Sequence, residues 1–186
     1  MGRILNLTLA LILLILLIIP MMFVYILIKL TSRGPALYWS QRIGRNNETF
    51  KMPKFRSMRI DTPEVATHLL QDHKIFLTPI GSFLRRTSLD ELPQIISVIN
   101  GDMSFVGPRP ALFNQYDLIE LRSKSGVHEL MPGITGLAQI KGRDELSISE
   151  KVDLDIEYLN RRSIWLDFEI IFLTFFKVLN NQGVSH

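Results

Sequence analysis

The chain has 186 residues with a formal net charge of +3, and 47% of the residues are hydrophobic. This length allows one compact domain with a short appendage and leaves no room for two ordinary domains. Charged residues make up 21%, which together with the hydrophobic content excludes a disordered chain. The absence of cysteine excludes a disulfide scaffold, a thiolate metal site and a cysteine nucleophile.

The positive charge is concentrated near the N-terminus. Residues 1–60 contain nine lysines and arginines and one acidic residue, Glu48, whereas the remainder contains twelve basic and seventeen acidic residues. A strongly basic segment is typical of proteins that bind an anionic lipid or nucleic acid. The charge pattern therefore indicates an anionic partner.

Residues 7–28 form an uncharged, mostly aliphatic run that predicts a membrane helix. As a helix it reaches about 33 Å, enough for the hydrocarbon core of a bilayer. A cleavable signal peptide fits less well, because the run exceeds the apolar core of such peptides and no small-residue cleavage site follows. Lys29 and Arg33 follow the run, and positive residues mark the cytoplasmic side. We therefore expect the rest of the chain to be cytoplasmic.

Pro20 lies two-thirds of the way along this run, after Ile19. Because proline lacks the backbone donor and collides with the preceding turn, a kink is expected at residues 16–19. One interpretation is a spanning helix that tolerates the proline, which sequence physics alone favours. The other is a re-entrant helix that bends at Ile19 and Pro20 and leaves on the side from which it entered.

The body is predicted to combine one β-hairpin with several short helices. Two extended runs, residues 36–43 and 49–58, flank a turn that contains glycine and asparagine. Ser147 and Glu150 match a capping box at the start of a helix that ends near Asn160. Further helices are predicted at residues 64–71, 79–86, 89–99 and 112–122, and a turn-rich segment at residues 132–136.

The last predicted helix, Ile164–Leu179, has an unusually narrow polar stripe. The polar stripe consists of Ser163, Asp167, Thr174 and Lys177. The apolar remainder carries the aromatic residues Trp165, Phe168, Phe172, Phe175 and Phe176. A small domain has little core in which to bury so wide an apolar face. We expect an interfacial amphipathic helix on the membrane surface, with burial in the core as the alternative.

Familiar nucleotide-binding and metal-binding motifs are absent from the sequence. It contains no GxxxxGK[ST], no GxGxxG and no DxDxT, and its four histidines lack the spacing of a helical metal pair. What remains is the acidic pair Asp90 and Glu91 in Ser-Leu-Asp-Glu-Leu-Pro-Gln, residues 88–94. Taken alone, this pair is typical of a helix N-terminus, where Ser88 and Glu91 match a capping box. A cap at Leu89 or Asp90 would suit Pro93 better, because its missing N–H costs nothing only within about the first four residues of a helix. Asp90 lies in the first turn, where the helix dipole favours an ionised carboxylate.

Several cations surround this acidic pair in the sequence pattern. Arg85 precedes it, Arg109 lies between two prolines, and Lys54 and Arg143 belong to loops or strand ends. A rigidly held arginine suits bidentate phosphate recognition, and two carboxylates facing several cations can hold Mg²⁺ and a diphosphate together. Each cation taken separately can equally be a solvated surface residue or a contact to anionic lipid.

Six ordered motifs carry a resemblance that covers nearly the whole chain. They are GP at 34–35, QRIG at 41–44, FKxxKFRSM at 50–58, SLDELPQ at 88–94, NGDMSFVGPRP at 100–110 and PGITGLAQIxGR at 132–143, followed by the final GVS at 183–185. In this order the motifs resemble those of the bacterial sugar transferases, the monotopic phosphoglycosyl transferases, and the length resembles that of their small, catalytic-core-only members.

The resemblance implies an activity and a set of site residues. Members of this family transfer a phospho-sugar from a UDP-sugar to polyprenyl (undecaprenyl) phosphate, release UMP and require Mg²⁺; an N-acetylated hexosamine is the sugar expected by analogy. By the family motif, Asp90 is expected to be the nucleophile and a Mg²⁺ ligand, and Glu91 its catalytic partner. The residues expected to bind the phosphates are Lys54, Arg85, Arg109 and Arg143.

The resemblance also implies an architecture and a location. We expect a mostly helical α+β fold, with residues 1–30 as a re-entrant membrane helix and residues 31–186 as a membrane-associated catalytic domain on the cytoplasmic face of the bacterial inner membrane. The expected partners are the UDP-sugar, polyprenyl phosphate, the bilayer and downstream glycosyltransferases of glycan assembly, without nucleic acid. The family helix usually carries Ser-Pro at its bend, whereas this chain has Ile19-Pro20, and an isoleucine side chain cannot hydrogen-bond to the carbonyl that the proline leaves free.

Two other functions remain open from the residues alone. A membrane-anchored, non-catalytic basic module that binds anionic lipid would use the same basic N-terminal region. An enzyme that transfers the whole sugar would release UDP instead of UMP. Measuring which nucleotide is released separates all three hypotheses.

Overall fold

A computed structural model of the protein describes residues 1–63, 73–142 and 145–179. The predicted mostly helical α+β fold is confirmed. The helices of the described residues are α1 Arg3–Thr31, α2 Gly81–Arg86, α3 Ile95–Asn100, α4 Tyr116–Lys124, α5 Leu137–Lys141, α6 Ile148–Arg161 and α7 Ile164–Leu179. The strands are β1 Leu37–Ile43, β2 Thr49–Phe55, β3 Ser104–Val106, β4 Ala111–Leu112 and β5 Gly133–Thr135. The helix predicted at residues 64–71 lies outside the described residues.

The long apolar helix α1 continues through Pro20 and packs lengthwise against the body. Its buried residues follow helical spacing and form one stripe: Asn6, Ala10, Val24 and Ile28, with Leu13, Leu14, Leu17 and Met21 partly buried between them. The opposite face is exposed, with Ile15 and Ile19 about three-quarters accessible. By length and composition α1 is able to cross a membrane.

Both ends of α1 are fastened to the body by polar contacts. Near the start, the Arg3 guanidinium donates to the carbonyls of Val98 and Ile99 at 2.5 and 2.6 Å, where α3 ends. The Asn6 side-chain oxygen accepts a hydrogen bond from the Phe105 N–H at 2.9 Å. At the other end, Arg56 donates to the Ser32 hydroxyl at 2.7 Å. Arg56, which belongs to one of the six motifs, therefore fixes the C-terminal end of α1 to the body.

The predicted hairpin is confirmed and belongs to a three-stranded sheet. Strands β1 and β2 are antiparallel, with Ile43 opposite Thr49 next to the turn. Strand β4 lies on the other edge of β1, where Leu112 is opposite Arg42. The helix predicted at residues 112–122 was wrong at its start, because Leu112 pairs in the sheet and the helix begins at Tyr116.

A second, parallel pair joins β3 and β5. Beside this pair, Gly107, Gly133 and Gly136 bring three stretches of backbone into direct contact. A Cβ atom on Gly133 would lie 2.2 Å from the Gly107 nitrogen, and one on Gly136 would lie 2.2 Å from the Gly107 oxygen. The segment predicted as a turn at residues 132–136 thus contains a short strand that packs under the loop after β3.

The remaining helices largely follow prediction. The capping box of Ser147 and Glu150 is formed at the start of α6. The helix predicted at residues 79–86 begins at Gly81. The helix predicted at residues 89–99 is divided into a 3₁₀ helix, Leu89–Gln94, and the α-helix α3. Pro93 is therefore accommodated in the 3₁₀ segment, ahead of the α-helix.

Helix α7 buries Asp167 from its polar stripe and leaves most of its aromatic face exposed. Asp167 is buried and accepts a hydrogen bond from the Tyr158 hydroxyl at 2.7 Å, and Thr174 shares one with Thr135 at 2.7 Å. Trp165 is 84% exposed. Burial in the core, the alternative interpretation, holds for Leu166 and Ile170, and the exposed aromatic face is the one expected of an interfacial helix.

Candidate active site

The acidic pair Asp90 and Glu91 follows a strained turn at Ser88. Ser88 has left-handed backbone angles, φ 55° and ψ 17°, and precedes the 3₁₀ helix Leu89–Gln94. Such a conformation at a residue other than glycine costs on the order of 1–3 kcal/mol and is often found at functional sites. The Ser88 side chain forms no capping hydrogen bond. The capping-box interpretation of Ser88 and Glu91 is therefore wrong, and the Glu91 side chain makes other contacts.

Glu91 is the centre of an ion-pair cluster that joins three separate elements. Lys54 on β2 donates to Glu91 Oε1 at 3.1 Å. Arg109, in the loop after β3, contacts both carboxylate oxygens with its two terminal nitrogens, one of them at 3.3 Å. All three side chains are mostly buried but retain solvent access, at 14–29% exposure. We call Glu91, Lys54 and Arg109 the Glu91 cluster.

Asp90 lies beside this cluster with its oxygens uncommitted. The residue is 8% exposed, and within the described part of the chain its carboxylate accepts no hydrogen bond. Burial, followed by the neighbouring Glu91 charge, raises the pKa of Asp90 to about 6, while Lys54, Arg85 and Arg109 act to lower it. Above that pH, Asp90 is an ionised carboxylate near Lys54, Arg85 and Arg109.

The structure brings together the predicted acidic pair and three of the predicted cations. Lys54 and Arg109 contact Glu91, Asp90 precedes Glu91 in the chain, and Arg85 acts on Asp90 electrostatically. Arg85, at the end of α2, influences the Asp90 pKa and also points one nitrogen to the Met58 sulfur at 3.7 Å. Arg143 lies outside the described residues, so its predicted role stays a prediction.

Arg42 is a site residue that the sequence reasoning missed. It lies on β1, and burial followed by the Arg109 charge lowers its pKa to about 10. Its Nε donates to the Ser40 hydroxyl at 2.9 Å and its Nη1 to the Pro110 carbonyl at 3.2 Å. Its place in the QRIG motif was the available signal, but nothing in the local pattern showed that β1 passes beside the loop that contains Arg109.

The arrangement suits a phosphorylated ligand. Among the described residues, the four cations Arg42, Lys54, Arg85 and Arg109 lie near Asp90 and Glu91, where they can attract an anion. Burial is also the main reason that the pKa of Lys54 is lowered. Buried cations with fixed geometry bind phosphate groups well because little reorganisation is required.

The donor set also fits Mg²⁺. Among the described residues there is no group of three or more acidic or histidine ligands that would enclose a metal by itself. Mg²⁺ is usually held by one or two carboxylates, with substrate phosphates and water completing its shell. Asp90, with both oxygens uncommitted among the described residues, is the residue that would hold it.

These features bring two carboxylates and several cations together on a body with exposed apolar helices. The model of the bacterial sugar transferase family matches residues 1–181. The chain is 45% identical over 169 residues to UDP-glucose:undecaprenyl-phosphate glucose-1-phosphate transferase of Escherichia coli (strain K12), covering 84% of this chain and 35% of that protein. The chain therefore belongs to the bacterial sugar transferase family.

Two further relatives show how the match is distributed. The undecaprenyl-phosphate galactose phosphotransferase of Salmonella typhimurium is 37% identical over 180 residues, covering 87% of this chain and 37% of the relative. The uncharacterized sugar transferase EpsL of Bacillus subtilis is 37% identical over 183 residues, covering 98% of this chain and 89% of the relative. The chain thus spans about a third of the length of the first two relatives and most of the third.

Proposed function

We propose that the protein transfers a phospho-sugar from a UDP-sugar to polyprenyl phosphate and releases UMP, the first membrane step of surface glycan or glycoprotein assembly. The observation that carries this proposal is the Asp90 carboxylate, which accepts no hydrogen bond from the described residues and lies near Lys54, Arg85 and Arg109. The names of the relatives, which specify undecaprenyl phosphate with glucose or galactose, support the same reaction class.

In the first step an Asp90 oxygen attacks the sugar-proximal phosphorus of the UDP-sugar. A bond forms between that oxygen and phosphorus while the bond from phosphorus to the bridging oxygen breaks, and UMP leaves with the bonding electrons. In the second step a phosphate oxygen of polyprenyl phosphate attacks the same phosphorus and restores the Asp90 carboxylate. The products are polyprenyl-diphosphate-sugar and free enzyme.

The surrounding cations stabilise the charge that moves during both steps. Lys54, Arg85, Arg109 and, by the family motif, Arg143 bind the diphosphate oxygens, and UMP is a good leaving group once its charge is neutralised. Mg²⁺ held at Asp90 would supply further neutralisation of the diphosphate. Glu91 keeps Lys54 and Arg109 in place before the substrate arrives and orients them toward it.

We further propose that α1 is re-entrant and that the protein lies on the cytoplasmic face of the inner membrane. Arg3 and Asn6 near one end of α1, and Ser32 after the other, contact the same body. A helix that spanned the bilayer would carry Arg3 to the side opposite that body. The exposed faces of α1 and α7 then meet lipid, where the polyprenyl phosphate acceptor is confined.

The topology is tested by placing a single thiol in this cysteine-free chain. In intact cells, Gly2→Cys should resist a membrane-impermeant thiol reagent and should react after the membrane is permeabilised. A matched control, Pro20→Ala in the same background, restores the helical hydrogen bond and favours a straight helix. Labelling of the parent from outside would refute the re-entrant model.

The reaction is tested by supplying UDP-sugars, polyprenyl phosphate and Mg²⁺ and measuring the nucleotide that is released. UMP supports the proposal, UDP would show transfer of the whole sugar, and the absence of turnover with binding to anionic vesicles would show a non-catalytic module. Screening UDP-glucose, UDP-galactose and N-acetylated UDP-hexosamines identifies the sugar; an N-acetylated hexosamine remains our proposal by family analogy.

With UDP-sugar and Mg²⁺ alone, intact mass should show a phospho-sugar adduct, because covalent catalysis predicts ping-pong kinetics.

A further inference from the structure

Residues 108–110, which we call the Arg109 loop, are held through three consecutive carbonyl groups. Two of the three residues are prolines, so this loop offers few N–H donors of its own. The donors to its carbonyls come from three different elements: Gly133 N–H to Pro108 at 2.9 Å, Arg122 Nη1 to Arg109 at 2.8 Å, and Arg42 Nη1 to Pro110 at 3.2 Å. The loop is therefore fixed from outside at each residue.

The donor to the middle carbonyl is half of a buried ion pair. Arg122, on α4, donates through Nε and Nη2 to Asp155 Oδ2 at 2.9 and 2.7 Å. Asp155 lies on α6 and its side chain is 2% exposed, while that of Arg122 is 11% exposed. The third donor group of Arg122, Nη1, donates to the Arg109 carbonyl. One guanidinium thus ties two helices to the residue that contacts Glu91.

Stability alone is a weak reason for such a pair. Removing two charges from water costs about as much as their attraction returns, and apolar residues of similar size often replace a buried pair without loss. What apolar residues cannot supply is a directed donor beneath the Arg109 carbonyl. The planar guanidinium can satisfy Asp155 and this carbonyl at the same time because its donors are fixed in one fork.

We propose that Arg122, held by Asp155, is a positioning residue that sets the Arg109 guanidinium for the diphosphate. Arg122 donates a hydrogen bond to the main-chain carbonyl of Arg109, and the side chain of Arg109 reaches Glu91. Displacement of the main chain therefore moves the guanidinium relative to the phosphate that Asp90 attacks. A misplacement of about 1 Å can cost up to about 100-fold in rate. This inference rests on the proposed function, in which Arg109 binds the diphosphate.

The test is a double-mutant cycle on UMP release. Arg122→Lys keeps the positive charge but loses the fork, and kcat/KM should fall about tenfold or more. In an Arg109→Ala background, the same Arg122→Lys change should cost less than about twofold, because the residue through which it acts is absent. Lys124→Ala, on the same helix but exposed, is the matched control and should leave kcat/KM unchanged.

A second variant separates positioning from folding. Arg122→Met combined with Asp155→Leu replaces the pair by apolar side chains and should retain the wild-type melting temperature within a few degrees. It should nevertheless lose activity to the same extent as Arg122→Lys. If this variant is folded and fully active, the proposal is wrong. Equal fold-losses for Arg122→Lys with and without Arg109 would also overturn it.

Failure of the proposed function can be distinguished from failure of this inference. If the wild type releases no UMP, the same cycle is measured as the affinity for UDP by calorimetry. Arg122→Lys should then weaken UDP binding about tenfold when Arg109 is present and less than about twofold in Arg109→Ala. An unchanged UDP affinity, or an equal loss in both backgrounds, would overturn the positioning role.

Discussion

Two ion-pair clusters lie on either side of the Arg109 loop, and they differ in their access to solvent. In the Glu91 cluster the side chains of Glu91, Lys54 and Arg109 are 14%, 16% and 29% exposed. In the pair of Arg122 and Asp155 they are 11% and 2% exposed. Water reaches the first cluster, whereas the second is enclosed. Our proposals follow this difference: they assign phosphate binding to the first cluster and the fixing of the Arg109 main chain to the second.

The largest expected effect comes from the carboxylate that belongs to neither cluster. Asp90→Asn should reduce UMP release by at least about 1,000-fold, because an amide cannot attack phosphorus. The fold should remain nearly intact, since the amide fills the same space and the Asp90 carboxylate accepts no hydrogen bond from the described residues that the change would remove. Circular dichroism and the melting temperature provide the control. An Asn variant that retains a tenth of the wild-type rate would show that Asp90 is not the nucleophile.

Removing one partner of the pair Arg122 and Asp155 should cause the largest loss of stability. Asp155→Asn leaves the Arg122 charge buried without its partner and should lower the free energy of unfolding by about 3–5 kcal/mol. Denaturant titration measures this loss. Arg161→Gln, which removes an exposed ion pair with Glu157 on the same helix, is the matched control and should change stability little. Equal effects of the two changes would contradict the distinction between the clusters.

A change in the Glu91 cluster should instead affect turnover more than stability. Glu91→Gln should lower kcat by about 100-fold, because Lys54 and Arg109 lose the carboxylate that orients them. The accompanying loss of stability should be smaller than that of Asp155→Asn, since water can reach both cations. Steady-state kinetics and denaturant titration on one preparation give both values. A variant with normal kcat and low stability would assign Glu91 a purely structural role.

The smallest expected effect is a pH dependence of stability in metal-free protein. The pKa of Asp90 is raised from 3.8 to about 6, so the native state binds a proton more readily than the unfolded chain between these values. The free energy of unfolding should therefore fall as pH rises from about 4 to above 6, by about 1–3 kcal/mol relative to Asp90→Asn. Thermal unfolding of the wild type and of Asp90→Asn, measured in EDTA across this pH range, checks the predicted difference. Parallel pH profiles for the two proteins would show that the Asp90 pKa is not raised.

How far the sequence predicts this protein depends on the range of the signal. The hairpin, the capping box of α6 and the length of α7 follow from local patterns, and they are confirmed. Short strands such as β4, with two residues, carry no periodicity of their own, so a helix was expected there. Their pairing is set by partners that are distant in the chain.

The same reasoning applies to the candidate site. Asp90, Glu91, Lys54 and Arg109 could be selected because they belong to recognisable motifs. Asp155 could not, because it pairs with a residue 33 positions away, and one aspartate on an amphipathic helix resembles any solvated acid. Glu91 illustrates the opposite error, since its local spacing to Ser88 matches a capping box that the three-dimensional contacts override.

The lengthwise packing of α1 has a consequence for protein engineering. Ala10 and Ile28 are completely inaccessible, and each belongs to a different apolar cluster of the body. A truncated form that starts after residue 31 would lose one wall of both clusters and expose their interiors to water. Exchanging α1 for an unrelated membrane anchor would leave the same gap. A detergent-free, soluble version would therefore require redesign of the outward face of α1, with its inward stripe retained.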